Sequence, residues 1–395
     1  MNRVTRLAII TGDPSGDQHA ASVVAKLRAL RPDVEIAAVG GASLAAQGVR
    51  LIADQTGMGR VGAGAVWGAW HHYCLGRQIL RFLEDFQPQI VLLIDYGGFN
   101  LLLAEQIRRR FGADSPALWY FIPPQIWASR PGRIRRIQAH VDRVFCIFPF
   151  EVALYETHGV PVTYAGHPLT GVLPPPADRV AFCAEHGLDP ARPVLALLPG
   201  SRGMEISYLL APLIGAGRRL QETMGLQAPQ LALSRSSALS LTAFDRALQQ
   251  AYRREGRPPL RFIDGDARAL LSIADAAIVK SGTSTLEAAL YQTPMIIVYR
   301  GHPLFAAIAR RVCLLPSIGL PNILTDPYHP FVIERLQESV TPQRLSEDIQ
   351  PLLLPDTPER EALRAGYARI RDALGSQSAS QTVAGALADA LPRLP

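Results

Sequence analysis

Asp95 is the residue of this chain best suited to proton transfer. It ends the apolar run 90–94 and opens Asp-Tyr-Gly-Gly-Phe-Asn at 95–100. If that run is a buried strand, the carboxylate emerges at its tip, where partial desolvation raises its pKa towards the range of a general base. The same position also suits an N-cap on the helix that begins near Phe99. Asn100 reads as structural. An earlier apolar run leads into Gly-Asp-Pro-Ser-Gly-Asp at 12–17. Its glycines permit a tight turn, and Ser15 or Asp17 can cap the helix that follows. The turn can equally touch a sugar or phosphate, through Asp13, Ser15 and Gly16. A third segment, 120–130, carries aromatic residues with Gln125, Trp127 and Arg130, and Arg133, Arg135 and Arg136 come after it. That set fits a phosphorylated glycolipid or a solvated basic helix. No nucleic-acid motif accompanies it.

Two further turns suit anions. Leu-Leu-Pro-Gly-Ser-Arg at 197–202 closes one apolar run and starts a helix, so backbone N–H groups of Gly200 and Ser201, with Arg202, can hold a diphosphate. Lys-Ser-Gly-Thr-Ser-Thr-Leu-Glu at 280–287 repeats the arrangement with hydroxyls and a glycine at Ser281, Gly282 and Thr283. Glu287 falls one helical turn inward. It can accept hydrogen bonds from ribose hydroxyls, or simply favour the helix dipole. Asn322, in Leu-Pro-Asn-Ile-Leu at 320–324, suits a base or phosphate contact as well as a proline turn. Two anion seats in one half of the chain favour a nucleotide more than either does alone.

These turns need a scaffold, and the apolar pattern supplies one. Short runs at 7–11, 35–39, 90–94, 117–121 and 144–147 alternate with helical spacing at 20–30, 75–86 and 101–111. Runs that are apolar on both faces suit a parallel sheet covered by helices, a doubly wound α/β arrangement. A proline-rich stretch at 173–177 interrupts the pattern, which restarts with strands predicted at 194–198, 230–233, 260–263, 276–279 and 295–298. The predicted organisation is a first domain at 1–172, a second at 178–358, and C-terminal helices at 359–395 packing back on the first. In such sheets ligands bind beyond the carboxyl ends of the strands, where the turns above lie.

Composition narrows the class. The 395 residues are 48% hydrophobic with a formal net charge of +6, ordinary for a globular chain and compatible with an anionic partner. Cys74, Cys146, Cys183 and Cys313 are too scattered for a metal site and read as reduced residues, mostly filling core. The N-terminal apolar run ends too soon in a glycine turn to be a secretory signal. No window reaches the roughly 20 apolar residues of a membrane span. The nearest, 61–75, is shorter and contains glycines and two histidines.

Taken in order, these segments resemble the lipid-A-disaccharide synthase family. The matching pieces are GDPSGD at 12–17, GGASLAAQG at 40–48, IDYGGFN at 94–100, YFIPPQIWASR at 120–130, FPFE at 148–151, YAGHPL at 164–169, LLPGSRGMEI at 197–206, SGTSTLEAAL at 281–290 and LPNIL at 320–324. The resemblance spans almost the whole chain. It implies a GT-B fold, two Rossmann-like domains facing a cleft, with the donor nucleotide held mainly by the second. It implies inverting transfer of 2,3-diacylglucosamine from UDP to 2,3-diacylglucosamine 1-phosphate, giving a β-1,6 disaccharide without metal or cofactor. On that resemblance Asp95 is the general base, while Arg202, Ser281, Gly282, Thr283, Glu287 and Asn322 hold UDP. Asp13, Gly98 and Ser129 depart from residues common in the family, all near the acceptor.

Trp67, Trp70 and Tyr73, flanked by Arg60 and Arg77, fit the peripheral membrane attachment that the resemblance implies, or a core helix. The implied location is cytoplasmic, on the inner face of a Gram-negative-type membrane, and the implied assembly a homodimer. Two rival activities share the architecture: a UDP-N-acetylglucosamine 2-epimerase-like enzyme, and a non-catalytic nucleotide-sugar or lipid-binding relative.

Overall fold

A computed structural model describes residues 4–54, 65–236, 240–303, 306, 311 and 313–393. The chain forms two compact units, Met1–Val172 with Leu374–Pro395, and Leu173–Ala373. The first holds strands β1 (Arg6–Ile10), β2 (Glu35–Gly40), β3 (Arg50–Asp54), β4 (Ile90–Ile94), β5 (Ala117–Phe121), β6 (Arg143–Cys146) and β7 (Val162–Tyr164). They pair in the order β3-β2-β1-β4-β5-β6-β7, every pairing parallel. The second holds β8 (Val194–Leu198), β9 (Gln230–Arg235), β10 (Leu260–Asp264), β11 (Ala276–Lys280), β12 (Met295–Tyr299) and β13 (Glu334–Leu336). Their order is β10-β9-β8-β11-β12-β13, again parallel throughout.

Each sheet therefore runs outwards in both directions from its first strand. β4 and β8 are buried along their whole length, which the unbroken Ile-Val-Leu-Leu-Ile and Val-Leu-Ala-Leu-Leu segments allow. Parallel strands reach this state only when helices cover both faces. In the first unit these include Pro14–Leu30, Ala65–Phe86 and Gly97–Phe111. In the second they include Gly203–Met224, Leu241–Glu255 and Pro342–Leu353. The strand order reverses between β1 and β4, and again between β8 and β11. Those are the switch points at which doubly wound sheets open a crevice for ligands.

The C-terminal stretch divides between the units, which corrects its assignment as a whole to the first domain. Helix Pro358–Leu374 lies in the second unit up to Ala373. Its Tyr367 is fully buried, donates to the Thr293 carbonyl at 3.1 Å and meets the Phe331 ring edge-on. Gly375, at φ 64°, turns the chain, and helix Ala379–Ala390 lies in the first unit. There the buried Arg31 guanidinium donates to the carbonyls of Ala388, Leu391 and Pro392, satisfying groups that a helix end leaves open. Among the described residues no helix is long and apolar enough to cross a membrane.

Candidate active site

The turn after β1 and the turn after β4 share the first switch point. Asp95 and Tyr96 both take left-handed backbone, at φ 48° and 52°, a conformation that costs a non-glycine residue energy and must be held by its surroundings. The hold is visible. The Asp95 carbonyl accepts from Tyr120 Oη at 2.7 Å and from Asn100 Nδ2 at 2.9 Å. Asn100 is fully buried and also donates to the Ile94 carbonyl at 3.3 Å. The Tyr96 ring covers Gly12, where any Cβ would run into it, and Gly97 lies under Pro124, whose Cγ a Cβ would meet at 2.6 Å. Helix Gly97–Phe111 starts without a side-chain cap, so Asp95 is not spent on its N-terminus.

The carboxyl group of Asp95 is consequently left for chemistry. Burial, reinforced by the Asp13 carboxylate, pushes its pKa up to about 6, against the pull of the Tyr96 N–H. A carboxylate so placed is ionised near neutral pH yet basic enough to accept a hydroxyl proton. Tyr96 contributes a phenol in contact with His72 Nε2, and burial followed by the Asp13 charge raises its pKa too. Nothing in the sequence singled out His72, which comes from helix Ala65–Phe86, far from the turn it touches.

The other residues predicted in this unit separate into roles. Asp13 caps helix Pro14–Leu30, accepting from the Gly16 N–H at 2.6 Å, a task predicted for Ser15 or Asp17. Asp17 instead caps a different helix, Ala42–Ala46, accepting from Gly41, Ser43 and Leu44 N–H groups. Gly16 is buried beneath the Asp13 carboxylate, whereas Ser15 is exposed within 3.3 Å of His19. Gln125 and Arg130 are exposed.

Trp127, predicted at the substrate, is half-buried and has a protein partner. Its Nε1 donates to Glu151 Oε1 at 2.9 Å, and its ring packs edge-on against Phe148 and Phe150. Glu151 is buried, which pushes its carboxyl up to about 7, and it also accepts from the Ile147 and Phe148 N–H groups. Trp127 thus supplies one of three donors to a buried carboxylate. Residues 61–64 and the side chain of Trp67 lie outside the described residues, but Trp70 and Tyr73 are 65% and 52% exposed. Their rings pack on each other, and Arg77 lies over Tyr73.

The second switch point carries opposite chemistry. A cavity of about 400 Å³ is lined by Gly200, Ser201, Arg202, Glu205, Ser234, Arg235, Ser236, Gly265, Lys280, Gly282, Thr283 and Ser284, among others. Gly200 takes φ 104° and faces Glu205 so closely that a Cβ would strike the carboxylate. Glu205 receives the N–H groups of Ser201 and Arg202 at 3.2 and 3.3 Å and the ammonium of Lys280 at 2.7 Å. Burial opposes ionisation, but Lys280 and the Arg202 N–H outweigh it and hold the carboxyl below its usual range. Glu205 thereby organises the turn and fixes Lys280 at the end of β11. Arg202 is 81% exposed, its guanidinium near the mouth. Arg235 is held by a two-point pair with Asp264 at 2.5 and 2.6 Å.

Gly200, Ser201, Arg202, Gly282 and Thr283 line this one cavity, joined by Lys280 and Arg235. Ser281, Glu287 and Asn322 do not. The Ser281 hydroxyl donates to the Ile318 carbonyl at 2.9 Å and faces a neighbouring cavity. Glu287 is 7% exposed and accepts from Arg268 at 2.8 Å. Asn322 is wholly buried: its Nδ2 donates to the Val332 carbonyl and Glu334 Oε1, and its Oδ1 accepts from the Val332 N–H. It joins the segment at 320–324 to the one at 332–334.

Comparison with known proteins bears on both fold and chemistry. The family model described as lipid-A-disaccharide synthetase matches residues 7–384. A lipid-A-disaccharide synthase of Myxococcus xanthus is 35% identical over 397 residues, covering 99% of each chain. Among solved structures, UDP-GlcNAc 2-epimerase from Neisseria meningitidis bound to UDP-GlcNAc superposes with a TM-score of 0.63 at 13% identity, covering 97% of this chain and 99% of that one. Sucrose-phosphate synthase from Thermosynechococcus elongatus gives 0.61 at 14%, covering 97% and 98%. At those identities the structural likeness bears on the GT-B fold alone, since an epimerase and a synthase match almost equally. The reaction class comes from the sequence match over nearly the full length: the chain belongs to the lipid-A-disaccharide synthase family and is a glycosyltransferase.

Proposed function

We propose that the chain transfers 2,3-diacylglucosamine from UDP to the 6-hydroxyl of 2,3-diacylglucosamine 1-phosphate, with inversion. Asp95 takes the proton of that hydroxyl as it attacks the anomeric carbon, and the bond from that carbon to the diphosphate breaks. The observation that carries this reading is the contrast in charge between the switch points: a basic carboxylate at β1–β4, and at β8–β11 a cavity lined by Arg202, Arg235 and Lys280 against one carboxylate, Glu205. The diphosphate accepts from the Gly282–Thr283 turn, because the Ser201 and Arg202 N–H groups already reach Glu205. Arg202 and Lys280 stabilise the charge that grows as UDP departs. Asp13 raises the basicity of Asp95, and Ser15, Gln125 and Arg130 are the exposed polar groups assigned to the acceptor.

Incubation of the protein with both acylated sugars in detergent, followed by mass spectrometry, tests the reaction. Equimolar disaccharide phosphate and UDP are expected. Free or epimerised monosaccharide in their place would overturn it.

The same reading places the protein on a membrane surface, supported by the exposed Trp70–Tyr73 pair beside Arg77. Co-sedimentation with anionic vesicles is expected to fall several-fold on replacing both aromatics by alanine. Unchanged sedimentation would remove this face from the contact.

A further inference from the structure

Beside the nucleotide pocket lies a second cavity, of about 550 Å³, that none of the roles above uses. It sits at the carboxyl ends of β11, β12 and β13, where Ser281, Tyr299 and Leu336 line it. Its remaining walls are mostly apolar, with Leu315, Pro316 and Ile318 prominent, and they also include Gln337 and Glu338. The Ser281 hydroxyl is already satisfied, since it donates to the Ile318 carbonyl. A cavity of this lining offers water few partners and favours an apolar occupant.

The loop that closes β11 is the wall between the two cavities. Lys280 and Gly282 line the nucleotide side, and Ser281 between them lines the apolar side. Lys280 lines the nucleotide side, where its ammonium pairs with Glu205 at 2.7 Å and lies 6.0 Å from the centre of the Tyr299 ring. Neighbouring strands stand about 4.8 Å apart, so β12 lies roughly 5–10 Å from the β8–β11 switch point. A substituent on a sugar whose diphosphate sits at that switch point spans this distance.

We propose that this apolar cavity receives an acyl chain of the donor and so helps to set which chain lengths the enzyme accepts. The inference rests on the acylated donor of the proposed function. It assigns Leu315, Ile318, Leu336 and Tyr299 to specificity, and it explains why Ser281 faces away from the nucleotide. Burying a methylene contributes about 0.8 kcal/mol, so each one removed from the chain is expected to weaken donor binding roughly three- to four-fold until the cavity is empty.

The test is competition of donor against UDP, with a series of UDP-diacylglucosamines running from butanoyl to decanoyl chains. Wild type should show the stepwise dependence. Leu315→Trp should flatten it and favour short chains, with UDP itself bound as tightly as before. Leu336→Ala, which enlarges the cavity, should move the preferred length upward and serves as the check if Leu315→Trp also loses UDP. A dependence that neither substitution changes, or that wild type lacks, would overturn the assignment. Failure of wild type to bind any acylated donor while still binding UDP would instead sink the donor identity on which it rests.

Discussion

The two sheets share one strand order and put their functional turns at the same topological place, yet the turns do different chemistry. At β1–β4 a carboxylate is held in left-handed backbone, made more basic by burial and by a second carboxylate, Asp13. At β8–β11 a carboxylate of the same kind, Glu205, is made less basic because Lys280 and backbone N–H groups surround it. One acid is kept basic by burial and the other is held ionised by a cation and backbone N–H groups. The scaffold decides where a ligand binds, and a few loop residues decide whether the place is suited to take a proton or to meet an anion.

The sharpest way to break this comparison is Asp95→Asn. Loss of a positioned base is expected to slow transfer about 100- to 10,000-fold. The stability effect should have the opposite sign. Because the folded state raises the pKa of Asp95 to about 6, it binds the proton more tightly than the unfolded chain. Stability is therefore lost as pH rises from the unfolded value near 4 through about 6. At pH 7 to 8 the asparagine variant should melt a few degrees higher than wild type, with the gain vanishing below about pH 4. A lower melting temperature at pH 8 would show that the buried carboxylate is compensated in a way the structure does not display.

Arg202→Ala probes the other side. A charge-assisted hydrogen bond contributes about 1.5–3 kcal/mol, so the Kd for UDP should rise about 10- to 150-fold in calorimetric titrations. Trp127→Phe should cost about 1–3 kcal/mol in denaturant unfolding by removing a donor from buried Glu151, and leave KM for the acceptor unchanged. A raised KM with full stability would return Trp127 to the substrate. The smallest effect is expected from Gly98→Asp. A side chain there meets nothing within 4 Å, so a second carboxylate fits beside Asp95. Its charge should raise the Asp95 pKa further and move the acid limb of the rate profile upward by less than about one pH unit.

The central strands were legible because they are apolar on both faces: β4, β5 and β8 fall where the apolar runs put them. The sequence reading passed over β3, β7 and β13, each an edge strand of its sheet and only half-buried. With one side open to solvent, Arg-Leu-Ile-Ala-Asp or Glu-Arg-Leu carries no continuous apolar signal. The anion turns were legible because glycine, hydroxyl and arginine after a strand act locally. What escaped was the fate of side chains whose partners are distant in sequence. Trp127 meets Glu151 24 residues on, Glu287 meets Arg268 19 residues back, and Asn322 meets Glu334 12 residues on. Only the packed fold tells which polar groups are already spent.

The division of labour between the switch points is tested most directly by measuring UDP affinity and single-turnover rate on the same preparations of Asp95→Asn and Arg202→Ala. Asp95→Asn should bind UDP within about two-fold of wild type while its rate falls by at least about 100-fold. Arg202→Ala should lose UDP affinity with Asp95 still titrating near pH 6 in its rate profile. UDP affinity lost in Asp95→Asn, or a full rate in that variant, would contradict the account.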